Sequence, residues 1–159
     1  MSIARQLSKY REYHHDHRNV LTHAIGIPMI VLGITILLSR PALEIGDFAI
    51  TPAVVAGVLA SLWYLRLDLG TGLIMAGLLA LFVVVGYLIA QDSAATWLGG
   101  GIAMFIVGWV FQLVGHKFEG RKPAFVDDLR SFLVGPLFVV VEGLFALGLM
   151  KDLRRQVEG

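Results

Sequence analysis

Cysteine is absent from this 159-residue sequence, which excludes disulfide scaffolds, thiolate metal sites and cysteine nucleophiles in one step. Any metal must therefore sit on nitrogen and oxygen ligands. Charge is also scarce: Asp, Glu, Lys and Arg make up 16% of the chain, against about 25% in an ordinary soluble domain. The 13 basic and 12 acidic residues leave a net charge of +1. There is thus no basic face of the kind that holds nucleic acid, and no nucleic-acid-binding motif accompanies it. The segment before Leu21 is charged and lacks an apolar core with a small-residue cleavage site. No cleaved targeting peptide is expected, and the first apolar run is expected to serve as the insertion signal.

What the chain does have is apolar surface, with 57% hydrophobic residues and a mean hydropathy of +0.75. A soluble fold of this length has no interior large enough to hold it. Apolar runs lie at 21–38, 50–67, 73–90, 97–114 and 132–150, each about as long as a helix that crosses hydrocarbon. Glycines recur inside them, as is usual where membrane helices pack closely. The expected fold is an all-α, polytopic membrane helix bundle with four or five spans, a single integral membrane domain over 1–159. The first 18 residues read as a surface helix, with Ile3, Leu7 and Tyr10 on one stripe and Arg5, Lys9, Arg11 and Glu12 elsewhere, a stripe that either lies on the membrane or packs on the rest of the protein. The connections at 39–49, 66–72 and 91–96 are short, and only 116–131 reads as a long polar loop.

Basic residues concentrate in short loops on the cytoplasmic side. Arg5, Lys9, Arg11 and Arg18 precede the first run, and Lys117, Arg121, Lys122 and Arg130 follow the fourth. Four crossings place both clusters on the cytoplasmic side. Lys151, Arg154 and Arg155 break this pattern if 132–150 crosses fully. Gly135, Pro136 and Glu142 in that run fit an interrupted or re-entrant segment, so its crossing stays open.

All five histidines, His14, His15, His17, His23 and His116, lie in or beside the two basic segments. A lone interfacial histidine is ordinarily a hydrogen-bonded structural residue; the grouping is what points to a site. At 3.6 residues per turn, His15, Asn19 and His23 share a stripe of an unbroken helix, whereas His14 and His23 oppose each other. Asp16 is a good N-cap residue, and a new helix starting there brings His14 back towards His23. Both arrangements are open at this level. Gln112, His116 and Glu119 also share one face, being spaced i, i+4 and i+7. Two such faces meeting make a site for Fe, Zn or Mn, and the lack of thiolates favours an oxygen-activating iron or manganese centre. Glu142, an acid inside a span, needs a partner or a role.

Tyr13-His14, Asn19, His23 and Gly26-Ile27-Pro28, followed by Gly115-His116, Phe118-Glu119, Pro123-Ala124, Asp127 or Asp128, Gly135-Pro136 and Glu142, resemble the Mpo1-like membrane family. The resemblance runs from Tyr10 to about Leu147, and its two motifs agree in spacing and neighbours at both ends. It implies an iron(II)-dependent dioxygenase of the endoplasmic reticulum type, which performs α-oxidation of 2-hydroxy fatty acids and shortens them by one carbon. Residue by residue, the family pattern falls on His14, Asn19, His23, His116 and Glu119. His15 and His17 fall where the family carries other residue types.

With the resemblance, Fe2+ is expected on His14, His23 and His116, with His15 or Glu119 as a further ligand and open positions for dioxygen and the 2-hydroxy carboxylate. Asn19, Glu119 and Glu142 are the expected catalytic support, Asn19 and Glu142 by orienting imidazoles. Lys117, Arg121 or Lys122 would pair with the substrate carboxylate. The acyl tail is expected among membrane lipid between the spans, with the metal near the cytoplasmic face of a bacterial inner membrane or of the endoplasmic reticulum. The competing reading is a small transporter or an interaction subunit with structural histidines and Glu142 on an ion path. A chain this short would need to form a homo-oligomer to build such a path.

Overall fold

The computed structural model describes residues 2–46 and 48–158. Helix α1 is Ile3–Arg11 and α2 is His17–Leu37; a hairpin of β1 (Leu43–Ile45) and β2 (Phe48–Ile50) leads to α3 (Pro52–Leu67) and α4 (Leu69–Asp92). A π-helical turn at Ala95–Gly100 runs into α5 (Gly101–Glu119). A 3-10 turn at Ala124–Val126 then precedes α6 (Ser131–Ala146) and α7 (Lys151–Glu158). The chain is an all-α membrane bundle apart from the hairpin. Its packing falls into two compact units, Met1–Ile27 with Val110–Gly159, and Pro28–Trp109.

In the second unit, Asp68 closes α3 and opens α4, its carboxylate accepting the Thr71 N–H at 2.7 Å. One short polar side chain thus turns two apolar helices into a hairpin. The 39–49 connection holds a β-hairpin that apolar periodicity does not announce. Its antiparallel strands pair Leu43 with Ile50 and Ile45 with Phe48, and Gly46 supplies the left-handed turn residue at φ 60°.

Among the described residues, three segments are each long and apolar enough to cross a membrane: α2, α4, and the π-helical turn continued by α5 (Ala95–Glu119). Helix α3, at 16 residues, is shorter. The expected fifth run, 132–150, is helical only as α6, which stops at Ala146, and the chain bends by 117° before α7. The cause lies in the chain between them. Gly148 adopts φ 75°, its N–H donates to Phe145 O at 3.0 Å and the Leu149 N–H donates to Leu144 O at 2.9 Å. This is a Schellman stop, which satisfies the last carbonyls of α6 and turns the chain.

The first unit holds all five histidines. Here α1 buries Leu7 and Tyr10, the stripe read from the sequence, and packs on α6 and α7. Lys9 pairs with Asp128 at 2.9 Å just before α6, and Arg11 pairs with Glu158 at the end of α7 at 3.1 Å. The chain after α5 therefore begins and ends beside α1. Helix α7, which carries Lys151, Arg154 and Arg155, thus packs beside the basic residues of α1. Helix α5 also runs to Glu119, four residues into the expected polar loop 116–131, before Gly120 at φ 69° ends it.

Candidate metal centre

The site starts from a bend. After α1 the chain turns tightly, with His14 N–H donating to Arg11 O at 2.9 Å. Asp16 then caps α2: its Oδ1 accepts the Arg18 N–H at 2.8 Å and its carbonyl accepts the Val20 N–H. The linking peptides are gripped from α5 by Glu119, whose carboxylate accepts N–H groups from His15, Asp16 and the Asn19 side chain, each at 2.9 Å. Three acceptor contacts of this carboxylate are thus engaged at the bend. Helices α2 and α5 can come this close because residue 115 is glycine. A Cβ there would overlap Thr22 Oγ1 and lie 2.5 Å from Asn19 Oδ1.

The bend folds His14 back onto His23, and α5 adds His116. Their relative exposures are 2%, 1% and 7%, and one ligating nitrogen from each lies within 4.8 Å of the others. Two of the rings are oriented by the backbone. His14 Nδ1 donates to Tyr10 O at 2.8 Å and His23 Nδ1 to Asn19 O at 2.9 Å, because a carbonyl can only accept. In the neutral rings both Nε2 atoms are then lone-pair acceptors, and they face each other at 3.1 Å. Burial pushes His14 down to about 4, so no ring proton bridges that gap at neutral pH. A cation resolves it. Two nitrogens bonded to one ion at about 2.1 Å and 90° to 110° are about 3.0 to 3.4 Å apart, so the spacing fits a shared metal.

The surroundings are dry. Tyr10 stacks on His14 with centroids 4.2 Å apart, Phe138 of α6 lies 5.6 Å from the same ring, and Leu137 and Val141 are buried beside it in sequence. Sequence reading missed Tyr10 and Phe138 as parts of this site. Tyr10 was legible only as part of an apolar stripe. Three buried polar atoms have no partner among the described residues: Asn19 Oδ1, Gln112 Nε2 and His116 Nδ1.

The remaining expected residues lie elsewhere. His15 is exposed because the bend at Asp16 turns its ring outward, and its backbone N–H donates to Glu119. His17 is exposed at the start of α2. Glu142 does not orient an imidazole; it faces Arg11 at 3.4 Å, and this cation gives the acid its partner. Arg121 donates to Glu12 O at 2.7 Å and Lys122 pairs with Asp127 at 2.6 Å. Both are exposed, as is Lys117, so these cations lie outside the buried group. Asn19 is fully buried, and it bonds the brace Glu119 through its side chain and the His23 ring through its carbonyl.

Residues 1–147 match the family model described as 2-hydroxy-palmitic acid dioxygenase Mpo1-like. The chain is 37% identical over 160 residues to the 2-hydroxy-palmitic acid dioxygenase MPO1 of Saccharomyces cerevisiae, covering 99% of this chain and 88% of the yeast protein. No solved structure matches.

Proposed function

This chain belongs to the Mpo1-like family, and on that premise we propose that it is an iron(II)-dependent dioxygenase that converts a 2-hydroxy fatty acid to the fatty acid one carbon shorter. The observation that carries this reading is the pair of Nε2 atoms 3.1 Å apart, each freed for a metal by a carbonyl on the opposite ring nitrogen. His14, His23 and His116 would hold the iron through neutral imidazoles. When bound, iron(II) supplies the activation of dioxygen that the side chains alone cannot. With C1 leaving as carbon dioxide the net change balances: the C1–C2 bond breaks, C2 becomes the new carboxyl carbon, and dioxygen takes the electrons that both carbons lose, one water being formed.

The chain's own residues do the positioning. The Tyr10 and Asn19 carbonyls fix the tautomer of two ligand rings, a role that raises ligand basicity as well as orienting it. Glu119 holds the bend that delivers His14, and places a negative charge close to a trio of neutral ligands. Tyr10 and Phe138 exclude water from the His14 side. The apolar tail of the substrate would lie in hydrocarbon, with its reacting end at the cytoplasmic face.

Iron content after anaerobic loading tests this. His23→Ala and His116→Ala should each abolish iron binding, beyond the roughly 10- to 100-fold loss that follows when an orienting neighbour is changed. Full iron occupancy in both variants contradicts the ligand set.

A further inference from the structure

We infer that Gln112 is the residue that receives the substrate's carboxylate, donating its side-chain N–H to a carboxylate oxygen beside the three-histidine group. The inference rests on the dioxygenase reading and deepens it. Gln112 stands one helical turn before His116 on the same face of α5, about 6 Å along the axis and further into the apolar span. It is 6% exposed, and its Nε2 has no partner among the described residues. An amide donor buried and left unmade is destabilising, and native structures retain one where something else is meant to fill it.

The alternatives for this role are weak. A 2-hydroxy acid brings a carboxylate to the buried site, and the three nearby cations in sequence are exposed, with Arg121 on Glu12 and Lys122 on Asp127. At the depth of Gln112 a Lys or Arg would be expensive in the bilayer, whereas a neutral amide supplies N–H donors without a charge. Of the other two unpaired atoms, Asn19 Oδ1 is an acceptor and would repel a carboxylate, and His116 belongs to the ligand set. Among the described residues, Gln112 Nε2 is the buried side-chain donor outside the three-histidine group that has no partner. Recognition through it selects the acid over the corresponding 1,2-diol, which offers no anionic oxygen.

The test is Gln112→Met, close in shape and without donors, in the full chain in detergent. Three readouts are needed: iron bound after anaerobic loading, anaerobic affinity for 2-hydroxypalmitate and for 1,2-hexadecanediol by calorimetry, and the melting midpoint of the metal-free protein. The expected result is unchanged iron, a melting midpoint equal to or above wild type, and acid affinity weakened about 10- to 100-fold, as for loss of a hydrogen bond to a charged group, with a smaller loss for the diol, whose neutral hydroxyl is the weaker acceptor. Equal acid affinity in variant and wild type overturns the inference, and so does an equal loss for acid and diol. A lowered midpoint with lost iron also overturns it, by making Gln112 a structural residue. A wild-type protein that takes up no iron and does not turn over the acid overturns the dioxygenase reading itself, and this inference with it.

Discussion

His14 and His15 are adjacent in the chain, yet one is 2% exposed and the other lies at the surface. The bend capped by Asp16 separates them, so His14→Ala should lose iron and turnover while His15→Ala keeps most of both. Turnover of a 2-hydroxy fatty acid at saturating iron(II) distinguishes the two, and a dead His15→Ala beside an active His14→Ala would contradict the bend as the delivering device. The burial of His14 has a second consequence. Its folded-state pKa, about 4, lies below the ordinary value of about 6.5, so between these limits the unfolded chain binds the proton that the folded chain refuses. The metal-free protein should therefore lose stability as pH falls from about 6.5 towards 4 and be unaffected by this group above that window. Melting midpoints across pH 4 to 7 check this, and a His14→Gln variant should show a shallower decline; identical profiles would mean that His14 is not the group concerned.

Among the elements, α2 and α5 meet where the site is built, and two features hold them. Gly115→Val should push the helices apart, since even a Cβ would lie 2.5 Å from Asn19 Oδ1. Overpacking of this kind costs about 1–3 kcal/mol and should appear as a lowered melting midpoint with weakened iron binding; a midpoint equal to wild type would contradict the close approach. Glu119→Leu removes three acceptor contacts from the bend. It should reduce iron affinity by about 10- to 100-fold, in the range of an orienting neighbour and not of a ligand. Complete loss would instead give Glu119 a place on the metal. The helix-level features were legible where they are local. Asp16 as a cap and the Gln112, His116, Glu119 face follow from spacing alone. The partners of Glu119 and Glu142 were not legible, because each is set by chain segments about a hundred or more residues away, a separation that periodicity does not encode. The β-hairpin escaped for a different reason: six residues in short strands carry too little pattern to stand out between long apolar runs.

At the scale of the whole molecule, the apolar runs announced the membrane bundle, and the path of the tail needed the structure. Arg11 joins α1 to Glu158 and Lys9 joins it to Asp128, so the C-terminal helix should be accessible from the same side of the membrane as the N-terminus. Because the chain has no cysteine, single cysteines at Ser2, Arg121 and Gln156 report this cleanly with an impermeant maleimide. All three should label from one side, and labelling of Gln156 from the opposite side alone would mean that α6 crosses. A shared side for Ser2 and Arg121 is also what lets the two histidine segments form one centre. That centre is the core of the account, and its most direct test is chemical. The wild-type protein, loaded with iron(II) without oxygen and then given oxygen and 2-hydroxypalmitate, should yield the fatty acid one carbon shorter, detected by mass spectrometry, and none when iron is omitted. Unchanged 2-hydroxypalmitate from protein that carries its iron, or equal product with and without iron, would contradict it.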